Sequence, residues 1–432
     1  MFSKKALFNL IWPLVIEQLL AVLVGMIDVL MVARLGETAV SGVSLVDSIA
    51  HLVIMLLTAL TAGGTVVCAQ FTGAKDYKSA SKGAGQQMLA AVLLMAAVSV
   101  VLLAGGRGIL SVLFGSVEPA VMSDAVKYMY FTSVSYPFLG AYYAASSVFK
   151  ASGDTRLPML VSLGMNILNI IGNALCIFVL HMGVEGVAIP TLLSRAIASV
   201  GIVFLLQRKD RLIRIRSFGD LRPDRPILRR ILSIGIPSGI ESSLFNIGKL
   251  MLQSLVSTLG TPSIAAFAVA SNLVTYLYLP GNAVGAATTT VAAQCFGAGE
   301  PKQAKSYTKL LIAVNYVFLI PICAAAIAGR HVLVGLYNLS GESAALAAAL
   351  LFAHAAAMIL WPPAFDLPHY YRAKGMARFT MIVALAAMAF LRIGLAYFFI
   401  KVLHKNVVWI WYAMFADWIF RIVIYGRRFM SD

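Results

Sequence analysis

Three acidic residues stand inside long apolar runs of this 432-residue chain, at positions that suggest proton or cation binding: Glu17, Asp28 and Glu241. A carboxylate at the centre of a bilayer costs at least about 2.5 kcal/mol on insertion scales. Each such residue is therefore a candidate functional group, with neutralisation by a structural partner as the alternative. Asp28 lies fifteen residues beyond Pro13, and no Lys or Arg stands three or four positions from it to pair on the same helix. Pro13 removes one backbone hydrogen bond and crowds the carbonyl of Asn9, so a helix through it can bend as Asp28 gains or loses a cation. Glu17 and Glu241 each follow a proline, Pro13 and Pro237, by four residues. Drawn together, two such glutamates hold one proton; apart, they attract a cationic molecule. Lys249, two turns past Glu241, reads as neutralising it or another acid. Asp417 and Arg421, four apart, read as an intrahelical pair, Asp47 as a solvated residue near an outer helix end, and His354 as a hydrogen-bonded core histidine.

Covalent chemistry has no comparable signature. There is no HExxH, DDxxD-like or GxSxG motif, and Cys68, Cys176, Cys295 and Cys323 show no metal-ligand spacing. The expectation is a protein that is not an enzyme and has no cofactor, with Na⁺ at Asp28 as the one metal to consider.

The elements that must hold these residues are membrane helices. Apolar residues make up 60% of the chain and charged ones 12%, about half the soluble norm. At about 20 residues per crossing, roughly 260 apolar residues suffice for about a dozen spans and little else. Apolar runs lie near 7–33, 42–71, 86–106, 126–149, 158–180, 184–206, 229–257, 264–293, 308–329, 345–371, 378–400 and 407–426. Barrel-type alternation is absent, so the fold class is an all-α integral membrane protein with twelve transmembrane helices. The first run is too long for a signal-peptide core and is expected to be retained as a helix.

The net charge of 34 − 18 = +16 then becomes a statement of topology. Of the 34 Lys and Arg, 24 fall on one side of these spans, nine of them between Arg208 and Arg230, and six on the other. The positive-inside rule places both termini and the 207–230 loop in the cytoplasm, in a cytoplasmic (inner or plasma) membrane whose anionic lipids are the natural neighbours. Nucleic-acid binding would need aromatics interleaved in the basic joints, which are nearly lacking. No obligatory protein partner is evident.

Residues 13–80 laid over 237–304, a constant offset of 224, are identical at 17 of 68 positions, including Pro13/Pro237, Glu17/Glu241, Gly36/Gly260, Gln70/Gln294 and Gly73/Gly297. FKASGDTR (149–156) matches YRAKGMAR (371–378) at an offset of 222. The duplication spans six helices per half, giving an N-terminal lobe at 1–206, a basic cytoplasmic linker at 207–230 and a C-terminal lobe at 231–432. An even helix count gives both lobes the same topology, hence a pseudo-two-fold axis along the membrane normal and a cavity where they meet, the geometry of alternating access. No GxxxxGK[ST] phosphate loop is present, so an ion gradient must supply the energy. In this setting Glu17 and Glu241 are expected to face each other across the cavity entrance.

Pro13 with Asp28, ARLG (33–36), AQFTGA (69–74), the KASGDTR joint, LSIGIPSGIE (232–241) and AQCFGAG (293–299), in this order within a six-plus-six repeat, resemble the multidrug and toxic compound extrusion (MATE) family over nearly the whole chain. The resemblance implies a V-shaped pair of lobes that exports organic cations in exchange for Na⁺ or H⁺. It also implies that Asn169, Asn173 and Thr191 join Asp28 in the N-lobe, offering neutral oxygens to a hard cation or bonding helix to helix. Some relatives carry a second aspartate where Asn173 stands, so this is a one-carboxylate version. Glu241 and Asp366 resemble C-lobe acids of one branch, and Arg195 and Arg392 framework arginines. A drug-facing surface would draw on Met26, Tyr136, Phe138, Tyr276, Tyr278 and Trp361, since thioethers adapt their shape and rings present π-faces to cations. The alternative within the superfamily is a flippase or exporter of a lipid-linked or other anionic metabolite.

Overall fold

The computed structural model describes residues 2–115, 117–215 and 218–432. Its long elements are twelve helices: α1 (Lys4–Ala33), α2 (Glu37–Gly73), α3 (Tyr77–Phe114), α4 (Pro119–Ser152), α5 (Arg156–Val179), α6 (Glu185–Leu206), α7 (Arg225–Ser257), α8 (Thr261–Leu277 and Leu279–Gly297), α9 (Pro301–Ala328), α10 (Gly341–Ala373), α11 (Ala377–Val402) and α12 (Val408–Ser431). Among the described residues, all but α4 and α7 are apolar enough to be recognised as spans by hydropathy alone, α8 as a bent pair. Each agrees with an expected run; α5 and α6 match theirs within two residues, whereas α2, α3 and α4 extend past both ends, because helix continues past the apolar stretch until a cap or glycine stops it.

The stops recur between the halves. Gly36 opens α2 with φ +101° and Gly260 opens α8 with φ +87°, a conformation that a side chain would strain. Gly153 and Gly375 terminate α4 and α10 with φ near +90° (91° and 87°). One break is not shared. α2 runs unbroken for 37 residues, whereas α8 bends by 46° at Tyr278. Pro280, where the first half has Leu56, lacks the N–H that would continue the ladder and clashes with the preceding turn.

Pro13 and Pro237 lie inside continuous helices. Thr155 Oγ1 donates to the carbonyls of Leu10 (2.8 Å) and Asn9 (3.3 Å), the latter being the acceptor that Pro13 leaves free.

Packing divides the chain into two units, Phe2–Gly239 and Ile240–Asp432. In the first, α4 is central, packed on α2, α3 and α6. In the second, the core runs through Leu255, Ala266, Leu319, Leu351, Met358, Ile410 and Trp418. Residues such as Val112, Phe204, Val317 and Phe390 are 70–85% exposed, the surface a helix presents to lipid rather than water. The division falls inside α7, not at the 207–230 segment. That segment, apart from 216–217, which lie outside the described residues, packs on the first unit. Gln86 Nε2 donates to the carbonyls of Asp220 (3.1 Å) and Arg222 (2.7 Å), Asp224 N donates to Gln86 Oε1 (2.8 Å), and Arg211 pairs with Asp154 at 2.9 Å.

Candidate functional site

In the first unit a directional hydrogen-bond chain joins α1, α5 and α6. Asn173 Nδ2 donates to Asp28 Oδ1 (3.1 Å) and Asn169 Oδ1 (3.3 Å), Asn169 Nδ2 to Thr191 Oγ1 (3.0 Å), and Thr191 Oγ1 to the Val187 carbonyl (2.8 Å). Asn169 and Asn173 are one turn apart on α5 and share a face, while Thr191 bonds back one turn along α6. Asn173 is fully buried, and its Oδ1 has no hydrogen-bond partner. α5 turns π-helical at Leu175–Val179, just past Asn173. Such irregularities recur at functional sites.

Asp28, Asn169 and Thr191 line a cavity of about 270 Å³ together with Asp47, Tyr128 and Arg195. Tyr128 Oη donates to Asp47 at 3.5 Å, and Arg195 Nη1 donates to Ser135 Oγ at 2.7 Å. Among the described residues neither acid has a basic group within 4 Å. Two carboxylates against one guanidinium leave the cavity one negative charge in excess when both acids are ionised, which is what a site for one cation requires.

In the second unit Asp366 is wholly buried on α10, and its Oδ2 accepts from Asn315 Nδ2 at 2.8 Å. Asp366 Oδ1 and Asn315 Oδ1 have no partners. Glu241 Oε2 accepts from Thr380 Oγ1 at 3.5 Å. Among the described residues no three His, Cys, Asp or Glu side chains come together as a metal site would need.

The MatE family model matches this chain twice, over residues 13–175 and 237–398, starting at the two prolines of the repeat. The chain belongs to the MatE family. Similar members include the uncharacterised transporter YisQ of Bacillus subtilis, 28% identical over 98% of this chain and 93% of its own length. The multidrug export protein MepA of Staphylococcus haemolyticus is 23% identical over 88% and 84% respectively. In fold the chain resembles a MATE transporter of the MOP superfamily solved facing outward, with a TM-score of 0.91 at 20% identity, covering 99% of this chain and 96% of that one. A MOP superfamily transporter from Pyrococcus furiosus with a binding pocket of reverse polarity gives 0.90 at 20% identity over the same shares.

Within this MatE chain the four N-lobe residues expected together are together. Asn173, however, turns N–H rather than oxygen toward Asp28, while Asn169 gives its oxygen to Asn173 and its N–H to Thr191. Asp47 shares the Asp28 cavity, which the reading of it as a merely solvated residue missed. Other expectations are corrected. Glu17 is no free acid: Lys150 Nζ lies 2.9 Å from its Oε1. Lys249 has no carboxylate within 4 Å among the described residues and instead stands over the Phe245 ring at 4.9 Å. Asp417 pairs not only with Arg421 (2.7 Å) but also with Arg392 (2.7 Å), all three buried. His354 is buried among Trp411, Phe415 and Trp418, yet neither ring nitrogen has a hydrogen-bond partner. Of the expected substrate-facing side chains, Tyr278 and Trp361 line a cavity of about 480 Å³ in the second unit. Tyr136 is fully buried, and Met26, Phe138 and Tyr276 are exposed but line neither cavity.

Proposed function

We propose that this chain is a secondary antiporter that exports small organic molecules, organic cations among them, in exchange for Na⁺ or H⁺ by alternating access. The observation that carries the reading is the charge imbalance of the Asp28 cavity, two acids and one arginine in a site otherwise walled by valines, a glycine, a methionine and neutral polar groups. Asp28 binds the coupling ion, Asn173 holds its carboxylate and is followed in the hydrogen-bond chain by Asn169 and Thr191, and Asp47 adds to the local field. A cationic substrate and the coupling ion compete for the same negative charge, so binding of one favours release of the other. The response is transmitted by α1, whose backbone is one hydrogen bond short at Pro13. An ion of equal affinity for both transport states would drive nothing, so the affinity must change as α1 moves. Multidrug export by MepA supports the substrate class. The chain performs no covalent chemistry in this reading and needs neither nucleic acid nor an obligatory protein partner. It lies in the plasma membrane with both termini cytoplasmic, following its Lys and Arg bias.

The test is efflux of a fluorescent organic cation from proteoliposomes under an imposed Na⁺ or H⁺ gradient, comparing the wild type with Asp28→Asn. Flux driven by one gradient and abolished in the variant identifies the ion. Absence of flux under either gradient, with folded protein verified, refutes the proposal and favours a flippase of lipid-linked substrates.

A further inference from the structure

The second unit holds a chamber of about 480 Å³ at the place that the repeat assigns to the Asp28 cavity of the first. At the offset of 224, Gly25, Asp28, Val29, Val43 and Asp47 of the first cavity correspond to Lys249, Leu252, Gln253, Phe267 and Ser271, and all five line the chamber. Both carboxylates of the first site are therefore replaced by uncharged residues, and a lysine stands where the first site has a glycine. Asn169 and Asn173, at the offset of 222, become Leu391 and Leu395, and Thr191 becomes Ala413. Among the described residues no acid lines the chamber; its charged side chains are Lys249 and Arg392. Asp417 sits behind Arg392, and one carboxylate is divided there between two guanidinium groups. Arg392 Nε has no hydrogen-bond acceptor.

The rest of the wall is aromatic. Trp361 stacks between Tyr278 (centroids 6.4 Å apart, planes 4° apart) and Phe365 (5.0 Å, 18°). A cation would ordinarily be drawn to such faces, but the Phe245 face is already taken by Lys249 at 4.9 Å and Arg392 at 5.1 Å. A second cation would meet two positive charges with no lining acid to offset them. His354, only 4% exposed, lines the chamber with both ring nitrogens unpartnered, and an imidazole in either tautomer keeps one N–H to donate. The volume is that of a site for a drug-sized molecule.

We propose that this chamber binds an aromatic organic anion, a carboxylate or sulfonate, with its ring among Trp361, Trp411 and Trp418 and its charge toward Lys249 and Arg392. The site is the counterpart of the Asp28 cavity with its polarity inverted, and it does not depend on the coupling reading, because equilibrium binding needs no gradient.

Three of the five tryptophans of the chain line the chamber, so tryptophan fluorescence reports its occupancy directly. The experiment titrates the full-length protein in detergent with 4-nitrobenzenesulfonate and with (4-nitrophenyl)trimethylammonium, two ring quenchers of similar size and opposite charge. Saturable quenching by the sulfonate is expected, with the ammonium compound at least tenfold weaker. Lys249→Gln should weaken the sulfonate at least fivefold, and Lys249→Arg should hold it within about twofold of the wild type. Equal or tighter binding of the ammonium compound, absence of saturable sulfonate quenching, or indifference of sulfonate affinity to Lys249→Gln would each overturn the proposal. If Lys249→Gln does not fold, the comparison of the two quenchers on the wild type decides alone. Failure here leaves the Asp28 proposal standing, and loss of gradient-driven flux in Asp28→Asn leaves this one standing.

Discussion

Replacing Asp28 by Asn removes one unit of negative charge from the first cavity and takes its formal sum from −1 to 0, with Asp47 and Arg195 left to cancel. A cation about 4 Å from a carboxylate gains about 4 kcal/mol at an effective dielectric constant near 20, equivalent to about three decades of affinity. Lost hydration of the ion offsets part of this gain, so the half-saturating concentration of the coupling ion should rise about 10²–10³-fold in Asp28→Asn. Asp47→Asn removes the same charge from a residue held by Tyr128 rather than by the Asn173 chain. At about twice the distance the interaction halves to about 2 kcal/mol, or about thirtyfold. The assay is gradient-driven efflux in proteoliposomes as a function of external Na⁺ at fixed pH and of pH at fixed Na⁺. Asn replaces Asp without changing size, and the Asn173 amide can still donate to the new carbonyl oxygen, so the fold should be kept. An Asp28→Asn protein with wild-type ion dependence, or a larger effect from Asp47 than from Asp28, would refute the assignment of Asp28 as the ion-binding acid.

Asp417→Asn should destabilise the protein by about 3–5 kcal/mol, because it strands the buried guanidinium groups of Arg392 and Arg421; a large fall in thermal midpoint by tryptophan fluorescence checks it. Thr155→Val should cost about 1 kcal/mol by removing the hydroxyl bonded to Leu10 and Asn9 below Pro13. Since it loosens α1 without touching the ion site, transport rate should change more than half-saturation, as measured in the same efflux assay. Gly36→Ala and Gly260→Ala should each cost about 1–2 kcal/mol from positive φ alone, since a Cβ at Gly36 meets nothing and one at Gly260 makes only ordinary contact at 3.9 Å; equal losses in thermal stability at the two positions are expected.

Much of this architecture is legible in the sequence because a bilayer leaves few choices: apolar runs must be helices, and glycines shared by the halves at Gly36/Gly260, Gly73/Gly297 and Gly153/Gly375 mark joints between them. The directional chain from Asp28 to Thr191 was half legible. Asn169 and Asn173 share a helical face by spacing alone, but that Asn173 meets Asp28, 145 positions away, is a tertiary fact that only the family resemblance suggests. Depth along a helix axis was not legible, so Asp47 was read as solvated although it lines the same cavity. Pairing between distant helices was hidden for the same reason: Lys150 reaches Glu17 across 133 residues, and Asn315 reaches Asp366 across 51. Hydropathy also says nothing about which way an aromatic points, and this separates Tyr136, wholly buried, from Tyr278 and Trp361, which line a chamber.

The two halves are related by the internal repeat, and they differ where the polar residues of the Asp28 cavity stand. Turn glycines and the proline at the head of each first helix are kept, since the fold requires them in both halves. Asp28, Asn169, Asn173 and Thr191 correspond to Leu252, Leu391, Leu395 and Ala413, and under the proposed coupling one ion site per molecule is enough to link a gradient to a conformational change. A second identical site would add no direction to transport, only a second buried charge to stabilise. The corresponding space in the second unit holds Lys249 and an aromatic wall, and Arg392 lines it with Asp417 and Arg421 buried against it. A buried triad of this kind is no gain in stability over well-packed apolar residues. In the proposed reading its use is the charge that Arg392 presents to the chamber. Under the two proposals the Asp28 cavity and the chamber can be altered independently, one setting the ion and the other the shape and sign of the organic molecule bound in the second unit.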